Sequence, residues 1–93
     1  MEIKAVQEKA TPILRRAGVR RAGLFGSIIK GKTRPNDVDI LVEMDKQTSL
    51  LGFIYLKNQL EEELGQRVDL VEYGALKPSL REGIIKEAVA LFG

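Results

Sequence analysis

The chain has 93 residues, no cysteine, no histidine and a net charge of +2, with 44% hydrophobic and 30% charged residues. That is one ordinary globular domain, long enough for a modest core and too short for a separate substrate domain. Histidine general bases, zinc sites built on His or Cys and disulfide scaffolds are excluded, so any catalysis falls to carboxylates, lysine, hydroxyls or a hard cation.

Ile3, Val6, Ala10, Ile13, Leu14 and Ala17 recur at helical spacing, and Gly18 is placed to stop that helix. A short strand is expected over Arg21 to Phe25, ending at Gly26. Residues 27–36 contain a glycine, a proline and an asparagine and leave room for one helical turn. Val38 to Glu43 reads as a second strand. Thr48 or Ser49 can cap a helix with Phe53, Leu56, Leu60 and Leu64 as its apolar stripe and Gly65 as its stop. Arg67 to Val71 reads as a third strand, β-branched at Val68 and Val71. Ser79-Leu80-Arg81-Glu82 has the form of a capping box opening a last helix, with Leu80, Ile84, Ala88 and Leu91 on its buried side. Phe53, Tyr55 and Phe92 are read as core in preference to a partner surface. The expected fold is α/β (α+β): one domain over 1–93, a small mixed three-stranded sheet with helices packed on it, in the order αβ(α)βαβα.

Charge is divided along the chain. Residues 1–36 hold nine Lys/Arg against two Asp/Glu, and residues 37–93 hold six against eleven, giving +7 and −5. Such a split suits phosphate meeting metal-binding carboxylates, although two solvated faces of opposite sign would give it as well. It is too slight for a duplex-DNA binder, and direct nucleic-acid binding is not expected. No apolar run approaches the ~18 residues of a membrane span, and the first residues are not a signal peptide, so a cytoplasmic location is expected.

Gly26 to Thr33 satisfies GxxxxGK[ST], the letters of a P-loop. A P-loop lysine and hydroxyl open a long helix whose N-terminus holds phosphates. Here Thr33 is followed by Arg34-Pro35-Asn36, and a strand must begin about three residues after the proline, so the match is coincidental. Asp37 and Asp39 lie two apart on a strand and share one face. Two carboxylates so close favour a cation between them, and with no softer ligand available it is Mg²⁺-like. Gly26 lets backbone approach a ligand, Ser27 offers a hydroxyl and an N–H, and Lys30, Lys32 and Arg34 can neutralise polyphosphate. Asp69, an acid among aliphatics in Arg67-Val68-Asp69-Leu70-Val71, is the candidate third carboxylate and proton acceptor. Its bland alternative is an ion pair with Arg67 or an N-terminal arginine; Glu43 and Glu72 are read as solvated.

Gly26-Ser27, nine intervening residues and Asp37-Val38-Asp39 resemble the GS-x(~9–13)-D-x-D signature of the DNA polymerase β-type nucleotidyltransferase superfamily. Gly23-Leu24-Phe25-Gly26-Ser27, Val68-Asp69-Leu70-Val71 and the closing Leu76-Lys77-Pro78-x-Leu80-Arg81 with Ile84 and Glu87 are similar to the minimal nucleotidyltransferase (MNT) antitoxins, over nearly the whole chain. The resemblance implies a transferase moving AMP from ATP to a tyrosine of a HEPN-domain RNase toxin. It implies Gly26, Ser27 and Lys30 at the triphosphate and Asp37, Asp39 and Asp69 as catalytic carboxylates around two Mg²⁺ ions. Lys30-Gly31 stands where the family usually has Arg-Gly, which keeps the charge but not the bidentate fork. The competing readings are an antitoxin that neutralises its toxin by complex formation alone, and a nucleotidyltransferase for a small molecule. A homodimer is compatible with either.

Overall fold

The computed structural model describes residues 2–30, 37–44 and 48–92, without the side chain of Ser27. The elements in chain order are α1 (Ile3–Arg16), β1 (Val19–Phe25), a 3₁₀ turn (Gly26–Lys30), β2 (Asp37–Met44), α2 (Leu50–Leu64), β3 (Arg67–Glu72), a second 3₁₀ turn (Tyr73–Ala75), α3 (Pro78–Glu87) and β4 (Val89–Phe92). The sheet order is β3-β2-β1-β4, with β1 antiparallel to β2 and β4, and β2 parallel to β3.

The helical stripes bury as their spacing requires. Val6, Ala10, Ile13 and Leu14 of α1 join Leu56, Leu60 and Leu64 of α2 in one core. That core includes Ala22 and Leu24 of β1, Val38, Ile40 and Val42 of β2, Val68 and Leu70 of β3 and Leu91 of β4. The period of two therefore holds, and both long helices cover one face of the sheet. α1 ends against Gly18, whose φ of 84° lies in the left-handed region. Ser49 caps α2, its side chain accepting from the Gly52 N–H at 3.1 Å, and Gly65 closes α2 at φ 67°. Pro12 lies inside α1 and supplies no N–H to the ladder there.

The C-terminal third departs from the expectation. The described residues form four strands, not three, because the last helix stops at Glu87 and the chain turns into β4. Leu80 and Ile84 do not form a buried stripe with Leu91: α3 has no buried residue, Leu80 is 56% exposed, and Leu91 is buried as part of a strand. The run Val89-Ala90-Leu91-Phe92 suits a pleated edge, and β1 has one side free to pair with it. Ser79 is not the cap either. Lys77 holds that place without a side-chain bond, and Pro78 stands at the first helical position, where its missing N–H costs nothing. Tyr55 is 64% exposed and not core, and Leu50 and Leu51 beside it are exposed too. Phe53 and Phe92 pack against the core as expected.

Among the described residues, the other face of the sheet is only partly covered. Gly23 points there, and a Cβ on it would stand 3.5 Å from the Tyr73 hydroxyl and 3.3 Å from the Val89 carbonyl oxygen. Tyr73 therefore lies across β1, its ring stacked under the Arg21 guanidinium at 4.2 Å. The start of β2 and β3 on this face carries the carboxylates.

Candidate active site

Strand register brings the predicted acids together. β2 and β3 run parallel with Asp39 opposite Asp69 and Asp37 opposite Arg67, so these four side chains make a two-by-two block on one face. On the other side of β2, Phe25 is opposite Asp39, which delivers Gly26 directly beside that carboxylate. Gly26 has φ 78°, and a Cβ there would overlap Oδ2 of Asp39 and stand 3.0 Å from its Cγ. The positive φ favours glycine, and any side chain there would have to displace the Asp39 carboxylate.

The electrostatics follow from that crowding. Partial burial raises the pKa of Asp39 above its ordinary value, and the negative charges of Asp69 and Asp37 raise it further. Asp37 is relieved by Arg67, whose Nε donates to Asp37 Oδ1 at 3.2 Å. Sequence reasoning offered Arg67 as a partner for Asp69. The register instead sets it against Asp37, because the two strands run parallel and Arg67 and Asp37 occupy one rung.

Two hollows flank the block. A small one of about 110 Å³ lies at Phe25, Gly26, Ile29, Lys30, Ile84 and Glu87, so Lys30 stands on the Gly26 side as expected. A larger one, about 490 Å³, lies beyond β3 between Asp37, Lys57, Glu61, Arg67, Val68 and Asp69. There Glu61 accepts from the Val68 N–H at 2.9 Å and pairs with Lys57 at 3.5 Å. The Val68 hydrogen bond, helped by the charges of Lys57 and Arg67, holds the Glu61 carboxyl below its ordinary pKa. Lys57 and Glu61 were missed from sequence because they ride on α2, whose approach to the edge of β3 depends on packing. The hydroxyl of Ser27, and Lys32, Thr33, Arg34 and Asn36, lie outside the described residues. Glu43 pairs with Arg21 at 2.7 Å, in keeping with its reading as a surface acid.

A hard cation suits the chemistry of Asp37, Asp39 and Asp69, which are oxygen donors only and repel one another at Asp39. As the side chains stand, no group of three or more acidic residues among those described is closed into a cation cage, and Asp37 is turned to Arg67. Displacing one exposed ion pair is enough to free it.

Residues 8–93 match the family model described as polymerase beta, nucleotidyltransferase. The chain belongs to that nucleotidyltransferase family. A Methanocaldococcus jannaschii relative, provisionally named a protein adenylyltransferase, is 42% identical to this nucleotidyltransferase over 90 residues, 96% of this chain and 97% of its own. The protein adenylyltransferase MntA of Thermococcus cleftensis is 45% identical over 75 residues, 80% of this chain and 76% of its own. A solved structure described provisionally as a minimal nucleotidyltransferase aligns with TM-score 0.82 and 36% identity, covering 96% of this chain and 95% of that one. A toxin–antitoxin structure with AMP-PNP aligns with TM-score 0.81 and 26% identity over 94% of this chain and 73% of that one. The complex of a tri-AMPylated Shewanella oneidensis HEPN toxin with its MNT antitoxin shares the fold, with TM-score 0.77 at 23% identity over 97% and 71%. Among the described residues of this nucleotidyltransferase, no helix is long and apolar enough to cross a membrane.

Proposed function

We propose that this nucleotidyltransferase is an antitoxin that transfers AMP from ATP to a tyrosine hydroxyl of a HEPN-type toxin and so silences it. One observation carries the catalytic part: Asp39 stands in register with Asp69 on one side and has the bare backbone of Gly26 beside its carboxylate on the other. A protein acting only by occupying its partner's surface gains nothing from a rung of opposed carboxylates that raises the pKa of one of them. Relatives named protein adenylyltransferases support a protein acceptor, and the solved complex of an AMPylated HEPN toxin with its MNT antitoxin supports the partner.

Asp37, Asp39 and Asp69 would hold Mg²⁺, which when bound offsets the negative charge of the triphosphate and of the leaving pyrophosphate. Gly26 places bare backbone where phosphate oxygens approach, and Ser27 and Lys30 add a donor and a positive charge. Asp69, on the far side of Asp39 from Gly26, faces the incoming hydroxyl. The tyrosine oxygen forms a bond to the α-phosphorus of ATP, the bond to pyrophosphate breaks, and the tyrosine proton passes to the Asp69 carboxylate. The partner closes the acceptor side of the site and excludes water from it.

The test is the Asp37→Asn, Asp39→Asn double variant incubated with α-labelled ATP and a co-purified toxin. Label transfer is expected to fall at least about a hundredfold. Undiminished labelling would overturn the catalytic assignment. Neutralisation of the toxin in cells by that same variant would support the reading as a binding antitoxin.

A further inference from the structure

We propose that Arg67 is a positioning residue of the carboxylate set, holding Asp37 in the metal-free protein and passing to Glu61 when a divalent cation takes Asp37. The role rests on the cation-binding reading of Asp37, Asp39 and Asp69 and adds the residue that gives way to the cation. Parallel register puts Arg67 opposite Asp37, beside the opposed pair Asp39 and Asp69 on the same face. Its Nε donates to Asp37 Oδ1 at 3.2 Å, so a positive group already stands at one of the three acids. A guanidinium stays charged at any working pH, so it relieves Asp37 whatever the state of the neighbouring acids.

The displaced guanidinium has a receiver. The hollow beyond β3 is lined by three acids, Asp37, Glu61 and Asp69, against two cations, Lys57 and Arg67, so negative charge is in excess there. Both bonds of Glu61, from the Val68 N–H at 2.9 Å and from Lys57 at 3.5 Å, fall on Oε2, and Oε1 takes part in neither. The Val68 bond holds that carboxylate at the edge of β3, next in sequence to Arg67. Among the described residues, Arg67 is joined to Asp37 through Nε alone, with its side chain 79% exposed, which leaves the terminal nitrogens for a second carboxylate. Its charge already reaches Glu61, where it helps to hold the carboxyl below its ordinary pKa. A cation arriving at Asp37 therefore breaks one exposed contact of small strength, and the guanidinium regains a carboxylate at Glu61 Oε1. Without Glu61, the displaced Arg67 would stay beside the cation and oppose it.

Mn²⁺ is the probe, titrated into the full chain by calorimetry without nucleotide. Arg67→Gln is expected to bind it about threefold more tightly than the parent. Lys57→Gln removes a charge from the same hollow without touching Asp37, and its gain should be clearly smaller. Glu61→Gln keeps an acceptor for the Val68 N–H; it should weaken binding about threefold in the parent and leave the Arg67→Gln protein nearly unchanged. Arg67→Lys, which can still neutralise Asp37, should return the affinity close to that of the parent. A Glu61→Gln effect of equal size in both backgrounds would overturn the handover, because loss of one negative charge then accounts for it. Equal gains in Lys57→Gln and Arg67→Gln would overturn it too. A second readout follows the side chain itself: the Arg67 Nε–H resonance, identified by its loss in Arg67→Lys, should move at saturating Mg²⁺ and move differently in Glu61→Gln. A resonance that stays in place contradicts the handover. Failure of Mn²⁺ to bind any of these proteins would overturn the cation reading itself, and the role of Arg67 with it.

Discussion

Asp39 is the residue on which the site's opposing demands meet. It lies beside the bare backbone of Gly26, faces Asp69 across the β2–β3 rung, and has its pKa raised above the ordinary value by burial first and its acidic neighbours second. A carboxyl whose folded-state pKa is raised binds its proton more tightly when folded, so its ionised form opposes folding at neutral pH. That penalty disappears as pH falls through the folded-state pKa. Asp39→Asn is therefore expected to raise the melting temperature of the metal-free protein at pH 7. The advantage over the parent should shrink as the pH is lowered, and shrink again when Mg²⁺ is added to the parent. Thermal scans between pH 4 and 8 (on the order of the carboxylate-to-neutral span) check it, and an unchanged or lower melting temperature at pH 7 would contradict it. The same substitution should abolish transfer, which separates the two roles of the residue.

At the scale of elements, α1 is held by its apolar face in spite of its own sequence. Pro12 removes a backbone donor in the interior of the helix, yet Ala10, Ile13 and Leu14 around it are buried and the helix runs on to Arg16. Pro12→Ala should stabilise the protein by about 1–3 kcal/mol, read from urea unfolding, because it restores the donor without disturbing the core. Elements with a strong local code were legible in the sequence. The Ser49 cap, the Gly65 stop and the alternation of Val38 and Ile40 with Asp37 and Asp39 each appear as read. The last segment was not legible, because Leu80, Ile84, Ala88 and Leu91 fit a helical repeat and nothing local shows that β1 has a free side. Burial of Leu91 is settled by that tertiary pairing, which also overrides the apparent capping box at Ser79.

For the molecule as a whole, the consequence is that the fourth strand closes the core. Leu91→Ala should cost about 2–4 kcal/mol, whereas Leu80→Ala, on the exposed helix before it, should stay within about 0.5 kcal/mol. A helix carrying both residues on one buried face would give similar losses at the two positions, so chemical denaturation of the pair distinguishes the architectures. The candidate site shows the same division between local and long-range information. Gly26, Asp37, Asp39 and Asp69 could be picked out as candidates from residue chemistry and spacing, and strand register brings them together. The pairing of Asp37 with Arg67, and the approach of Lys57 and Glu61 to the same hollow, depend on register and helix packing, which no short stretch of sequence encodes.

The parallel pairing of β2 with β3 has a further effect on how the enzyme assembles. Side chains alternate along β3, so sliding it by one residue against β2 would turn Asp69 toward the helices and drive Val68 and Leu70 into water. A chain that mispairs these strands thus forfeits its core as well as its chemistry. The apolar interior acts as a proofreader for the carboxylate rung, and molecules that fold stably are molecules whose acids are already aligned.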